Sequence, residues 1–183
     1  VVRPNEAQNL PKVSFFTHAD LDKIVALKPT LVLGFSDMQK DIARDLIDRG
    51  LNVYISNQRS LEDIKNYILL LGKIVEATKE AEHLLSLIHS KEEQARSFAR
   101  SLAFSPRVYI EEWDDPLITG IQWFSELVEL CGGENIFRDR ASGLRGKERI
   151  VSCAEIKERN PQVILASWCG KKVRLNSFAT RDG

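Results

Sequence analysis

Three aromatic residues close short apolar runs in this chain, and the chemistry they suit is binding rather than catalysis. Phe35 ends Leu31-Val32-Leu33-Gly34, Trp113 follows Val108-Tyr109-Ile110-Glu111-Glu112, and Trp168 follows Val163-Ile164-Leu165-Ala166-Ser167. Any one of them alone is more often a core residue than a ligand contact. Three at strand ends facing one cleft would make a flat platform, with large contact area at low entropic loss. Ser36, Asp114 and Cys169 stand next to them and complete the candidate ligand-binding set. Trp123 falls in a helical pattern and reads as core or helix surface.

A nucleophile with its base is harder to find. His18 sits at a helix start, and His83 and His89 lie in a long helical stretch without metal-ligand spacing. There is no G-x-S-x-G, no Gly-rich phosphate loop and no H-E-x-x-H. Glu111, Glu112, Asp114 and Asp115 admit two readings, a divalent-cation site or a solvated loop around a turn-forming Asp-Asp-Pro; the loop is the plainer one. Arg138, Arg140, Arg145, Lys147 and Arg149 admit an anion-holding reading, but with Asp139 and Glu148 interspersed a solvated loop is again the plainer one. No catalytic residue and no metal ligand is assigned.

The elements that position these residues follow one template, used twice. Ile24-Val25-Ala26-Leu27-Lys28-Pro29 leads into Leu31 to Phe35, and Ile156-Lys157-Glu158-Arg159-Asn160-Pro161 leads into Val163 to Trp168. In each, Pro ends a helix because it lacks an N–H and restricts its predecessor. Each apolar run lacks alternation, which predicts a parallel strand buried on both faces. In open α/β sheets, ligands bind at the carboxyl ends of such strands.

Between the two units the pattern continues. Thr17-His18-Ala19-Asp20 resembles a capping box, Gly50 closes a helix over about 38–49, and 51–55 reads as a strand. Ser60 starts another helix. Thr78 caps a stretch free of Gly and Pro to about Ala103, ~38 Å of helix at 1.5 Å per residue. A strand at 108–111 precedes an acidic loop at 112–116, a helix spans about 120–130, and Ser152 to Glu155 is a full capping box. The predicted fold is α/β, two Rossmann-like lobes with parallel sheets joined by a long rigid helix. Residues 1–77 form an N-terminal lobe, 78–104 the bridging helix and 105–183 a C-terminal lobe.

Lys plus Arg (26) balance Asp plus Glu (26), so no bulk field favours nucleic acid or an anionic membrane. No apolar run approaches the ~20 residues of a membrane span. Cys131, Cys153 and Cys169 lack C-x-x-C spacing and read as small, mostly buried residues. The chain starts without Met and ends soon after a strand, so it reads as a processed or truncated piece with both lobes incomplete.

Leu10-Pro11-Lys12-Val13, the run Leu21 to Leu33, and Leu130-Cys131-Gly132-Gly133-Glu134-Asn135-Ile136-Phe137 resemble the periplasmic cobalamin and ferric-siderophore binding proteins of ABC importers. Glu111 to Ile118 and Ser167-Trp168-Cys169-Gly170-Lys171-Lys172 look most like the cobalamin branch. The resemblance implies a monomeric, non-enzymatic protein, periplasmic or anchored at the cell surface. It would capture cobalamin or a related corrinoid in the inter-lobe cleft as transported ligand, without a cofactor, and deliver it to a membrane permease. Family members commonly offer one surface carboxylate per lobe to permease arginines; those positions fall at Asp41 and Glu155. Two rivals stay open: a ferric siderophore or haem as ligand, and a metal-cluster protein or enzyme on the same scaffold, with Cys169 and the acidic loop as ligands.

Overall fold

The computed structural model describes residues 5–174, 176–179 and 181. Two compact units partition the chain, Val1–Gln58 and Arg59–Gly183.

In the first unit a short hairpin, β1 (Ser14–Phe15) and β2 (His18–Ala19), precedes α1 (Leu21–Ala26). Because His18 and Ala19 pair as a strand, Thr17 is not the helix cap. Asp20 takes that role, accepting the Lys23 N–H at 3.0 Å. β3 (Val32–Phe35) runs parallel to β4 (Val53–Ser56), with a 3-10 turn at Asp37–Gln39 and α2 (Lys40–Asp48) between them. Gly50, at φ +79°, closes α2 as its position required. The core is small: Ile24 from α1 with Ala43 and Leu46 from α2.

In the second unit, α3 (Leu61–Ile74) packs on α4 (Thr78–Ser101), and α5 (Gln122–Leu130) packs on both. Ser60 and Asp63 form the capping box of α3. α4 matches the predicted long helix, although Thr78 is its first helical residue rather than its cap. β5 (Arg107–Asp114) is the central strand of a four-stranded sheet. β6 (Leu117–Thr119) pairs with it antiparallel, while β7 (Glu134–Asn135) and β8 (Val163–Ala166) pair with it in parallel. The predicted acidic loop is therefore wrong in part. Glu112, Trp113 and Asp114 extend β5, and Asp115-Pro116 is the turn of a hairpin into β6. Tyr109, Ile136, Phe137 and Val151 form one core cluster of this unit, and Val108, Ile110 and Val128 form another. Ser152 and Glu155 cap α6 (Cys153–Arg159) by the expected reciprocal bonds.

The twofold template is present in the backbone. Lys28 (φ +48°) and Asn160 (φ +47°) each turn the chain out of a helix immediately before Pro29 and Pro161. The strand that follows each joins a parallel neighbour, and the next N–H extends the ladder: Ser36 to the Ser56 carbonyl at 2.7 Å, Ser167 to that of Glu111 at 2.9 Å. Burial on both faces is not observed. Leu33 and Phe35 of β3 and Val163, Ile164 and Leu165 of β8 are exposed. An apolar run selects a strand but cannot say which of its faces and edges a neighbour covers.

Candidate functional site

Parallel pairing in register sets the geometry of the second unit's site. Glu111 lies opposite Ala166 across β5 and β8, so the residues following both strands emerge at one end of the sheet. Trp113 and Trp168 meet there through Lys171. Its Nζ lies 4.0 Å from the Trp113 ring centroid and 5.2 Å from that of Trp168, and it also pairs with the Asp114 carboxylate. The hydrogen bond from Lys171 holds Asp114 below the usual carboxylate range.

The two tryptophans differ in availability. Trp113 is half-buried, its indole N–H donating to the Asp115 carbonyl at 2.8 Å. Trp168 is 6% exposed, stacks on Phe178 at 5.9 Å and donates its indole N–H to Glu111 Oε1 at 2.8 Å. Glu111 is completely buried at the heart of this arrangement, and both its oxygens also accept from the Arg181 guanidinium. That contact keeps Arg181 raised above the usual arginine range. Burial first, and the neighbouring Glu111 charge second, push the Tyr109 phenol far up. Glu111 is thus a buried anion that fixes Trp168, and Trp168 is a wall more than an open face.

The other acidic residues are spent on structure too. Glu112 accepts from the Ile121 N–H at 2.8 Å and pairs with the buried Arg149 at 2.7 Å, tying the hairpin to the start of α5. Cys169 is exposed, as is Cys131, against the expectation of burial. Among the described residues, no three His, Cys, Asp or Glu side chains are grouped so as to hold a metal ion. Arg138 pairs with Glu129 and Arg140 with Glu155, so the basic loop is largely neutralised by its neighbours.

In the first unit, Phe35 is exposed and its ring lies 5.6 Å from that of Phe16. Ser36 has φ +62° and caps the turn beginning at Asp37. Gln39 is buried; its Oε1 accepts the Phe35 N–H at 2.8 Å and its amide donates to the Phe16 carbonyl at 2.6 Å, holding the two segments together. Sequence reasoning missed Phe16, Gln39, Lys171 and Arg181. Phe15-Phe16 was a visible aromatic pair, and Lys171 stood three residues beyond Trp168. Nothing local marked Arg181, whose partner is 70 positions away.

Asp41 is exposed on α2, 3.3 Å from Arg44. Glu155 is less free, because one carboxylate oxygen accepts from the Ser152 N–H at 2.9 Å and the other from Arg140. The Ser152 bonds first, and Arg140 after them, keep Glu155 below its ordinary range.

Comparison with known proteins agrees with this architecture. A family model described as periplasmic binding protein matches residues 1–183. The vitamin B12-binding protein of Vibrio parahaemolyticus is 29% identical over 177 residues, covering 90% of this chain and 59% of that protein. The vitamin B12-binding protein of Yersinia pestis is 29% identical over 179 residues, covering 93% and 60%. The chain thus spans about three-fifths of the length of these relatives. Among solved structures, the periplasmic vitamin B12 binding protein BtuF of Vibrio cholerae matches with TM-score 0.68 and 27% identity, over 90% of this chain and 64% of that one. An ABC transporter substrate-binding protein from Listeria monocytogenes shares the fold at TM-score 0.78 and 22% identity, over 96% and 67%.

Proposed function

The chain belongs to the periplasmic binding protein family, and on that premise we propose that it captures cobalamin or a related corrinoid for an ABC importer and hands it to the membrane permease. The observation that carries the reading is the meeting of Trp113 and Trp168 at the carboxyl ends of two paired parallel strands. Flat indole rings suit a macrocycle, and similarity to vitamin B12-binding proteins supports the corrinoid over other flat ligands. In this reading Trp113 and Asp114 contact the ligand with Cys169 beside them, Trp168 forms the wall behind, and Phe35 and Ser36 are further proposed ligand contacts. The proposed division into an N-terminal lobe (1–77), a helix (78–104) and a C-terminal lobe (105–183) differs from the compact units, in which α3 packs with α4 and α5 and the boundary falls at Gln58. The reading also retains a monomer, periplasmic or anchored at the cell surface, without a nucleic-acid partner.

Absorbance titration of the purified protein with cyanocobalamin, haemin and a ferric siderophore tests the ligand class. Saturable spectral change with cyanocobalamin alone supports the proposal. Saturation with haemin or the ferric chelate instead moves the protein to the other branch of the family.

Delivery is proposed to use Asp41, exposed on the first unit, and Glu155, half-buried and paired with Arg140 on the second, because charge at a docking surface sets orientation and on-rate. Asp41→Asn and Glu155→Gln are expected to reduce ligand-stimulated ATP hydrolysis by the reconstituted transporter while cyanocobalamin titrations stay unchanged. Glu155→Gln keeps most of the α6 cap, so full stimulation by that variant would make Glu155 a cap and no more.

A further inference from the structure

Lys171 lies over the ring of Trp113. Its ammonium lies 4.0 Å from the indole centroid, is 5.2 Å from that of Trp168, and is held there by Asp114. The aromatic faces and one carboxylate thus surround a cation supplied by the chain itself, an arrangement that stabilises an ammonium by ring quadrupole and charge together. The residue is well placed to leave. It sits in a segment outside helix and strand, next to Gly170 at φ +74°, and its side chain is 39% exposed.

We propose that Lys171 is an internal occupant of the aromatic site, which an incoming flat ligand must displace from Trp113 before it can stack. This deepens the binding role assigned above to Trp113 and rests on it. Lys171 then sets affinity and selectivity through competition rather than contact. A ligand with enough ring area to outweigh the cation enters; a small aromatic molecule does not. Added salt weakens the Lys171–Asp114 pair, which is only partly shielded from solvent, and so favours the ligand.

Lys171→Met keeps an unbranched apolar stem and removes the charge, so it separates these ideas. In the ligand-free protein, acrylamide quenching of tryptophan emission should rise in Lys171→Met, and the increase should vanish in the Lys171→Met/Trp113→Phe double variant. Cyanocobalamin should bind Lys171→Met roughly 3- to 20-fold more tightly than the parent, the range for losing an exposed cation–π contact and a partly exposed ion pair. Raising salt from about 0.05 to about 0.5 M should tighten binding by the parent but not by the variant. Unchanged quenching, or weaker binding by Lys171→Met, overturns the proposal. If quenching rises and Trp113→Ala weakens binding while Lys171→Met leaves it unchanged, competition is refuted and the Trp113 platform stands. If Trp113→Ala leaves affinity unchanged, the platform itself fails and the competition with it.

Discussion

Replacing Glu111 should damage the second unit more than any other single change at the site. The carboxylate is fully buried, accepts two bonds from Arg181 and one from the Trp168 indole, and has no water-facing alternative. Glu111→Ala leaves the Arg181 guanidinium, whose side chain is 19% exposed, without its counter-charge and the Trp168 N–H without an acceptor. Breaking a buried ion pair by removing one partner costs about 3–5 kcal/mol. Glu111→Gln keeps one acceptor oxygen for the Trp168 N–H but turns an amide NH2 toward Arg181 and still strands its charge, a loss of at least about 1.5–3 kcal/mol. With a urea m-value of ~2 kcal/mol/M, these correspond to midpoint shifts of roughly 2 M and 1 M. The assay is direct, because all three tryptophans lie in the second unit and their emission reports its unfolding. The pair can also be neutralised on both sides. Glu111→Gln/Arg181→Gln should be less damaged than the sum of the single variants, since a neutral pair leaves no stranded charge. A Glu111→Ala midpoint within about 0.3 M of the parent, or strict additivity in the double variant, would refute the reasoning.

Gly72→Ala sets helix propensity against packing. Ala improves a helix interior by about 1 kcal/mol, but the new methyl would lie 2.5 Å from the Ala81 Cβ where α3 meets α4, which has no soft neighbour to yield. Overpacking of about 1–3 kcal/mol should win, so urea unfolding should show a net loss; a stabilised variant would show that the helices separate freely. Stability should also fall on acidification. Asp63, Asp114, Asp139 and Glu155 are all depressed below ordinary values of 3.8 for Asp and 4.5 for Glu. Their contribution is complete above those values and is lost as pH falls through the lower folded ones. Asp139→Asn, which removes the Arg159 partner, should flatten the melting-temperature profile between about pH 5 and 3, and an unchanged slope would count against that pair.

What could be read from the sequence was local. Pro29 and Pro161 marked the two helix-to-strand turns, and the residues before them, Lys28 and Asn160, both take positive φ. Gly50 and the boxes at Ser60 and Ser152 sit where capping chemistry required. The Asp115-Pro116 turn was legible, but its role as a hairpin tip was not, because three short residues of β6 gave too little alternation to count. Exposure of β3 and β8 depends on neighbours that periodicity does not describe. The site's internal wiring was hidden for the same reason: Glu111 reads as one acid in a run of four. Only the fold brings Arg181 and Trp168 to it and makes that acid a buried structural anion.

The binding account turns on Trp113, the more accessible of the two tryptophans and the one whose loss least disturbs the core. Trp168 is too buried for a truncation to separate binding from folding. The decisive measurement is calorimetric titration of cyanocobalamin into the parent and into Trp113→Ala, with circular dichroism confirming that both are folded. Saturable binding by the parent, weakened in the variant by about 1–3 kcal/mol, is the predicted result. Equal affinity in both folded proteins, or no corrinoid binding by the parent, would contradict the account.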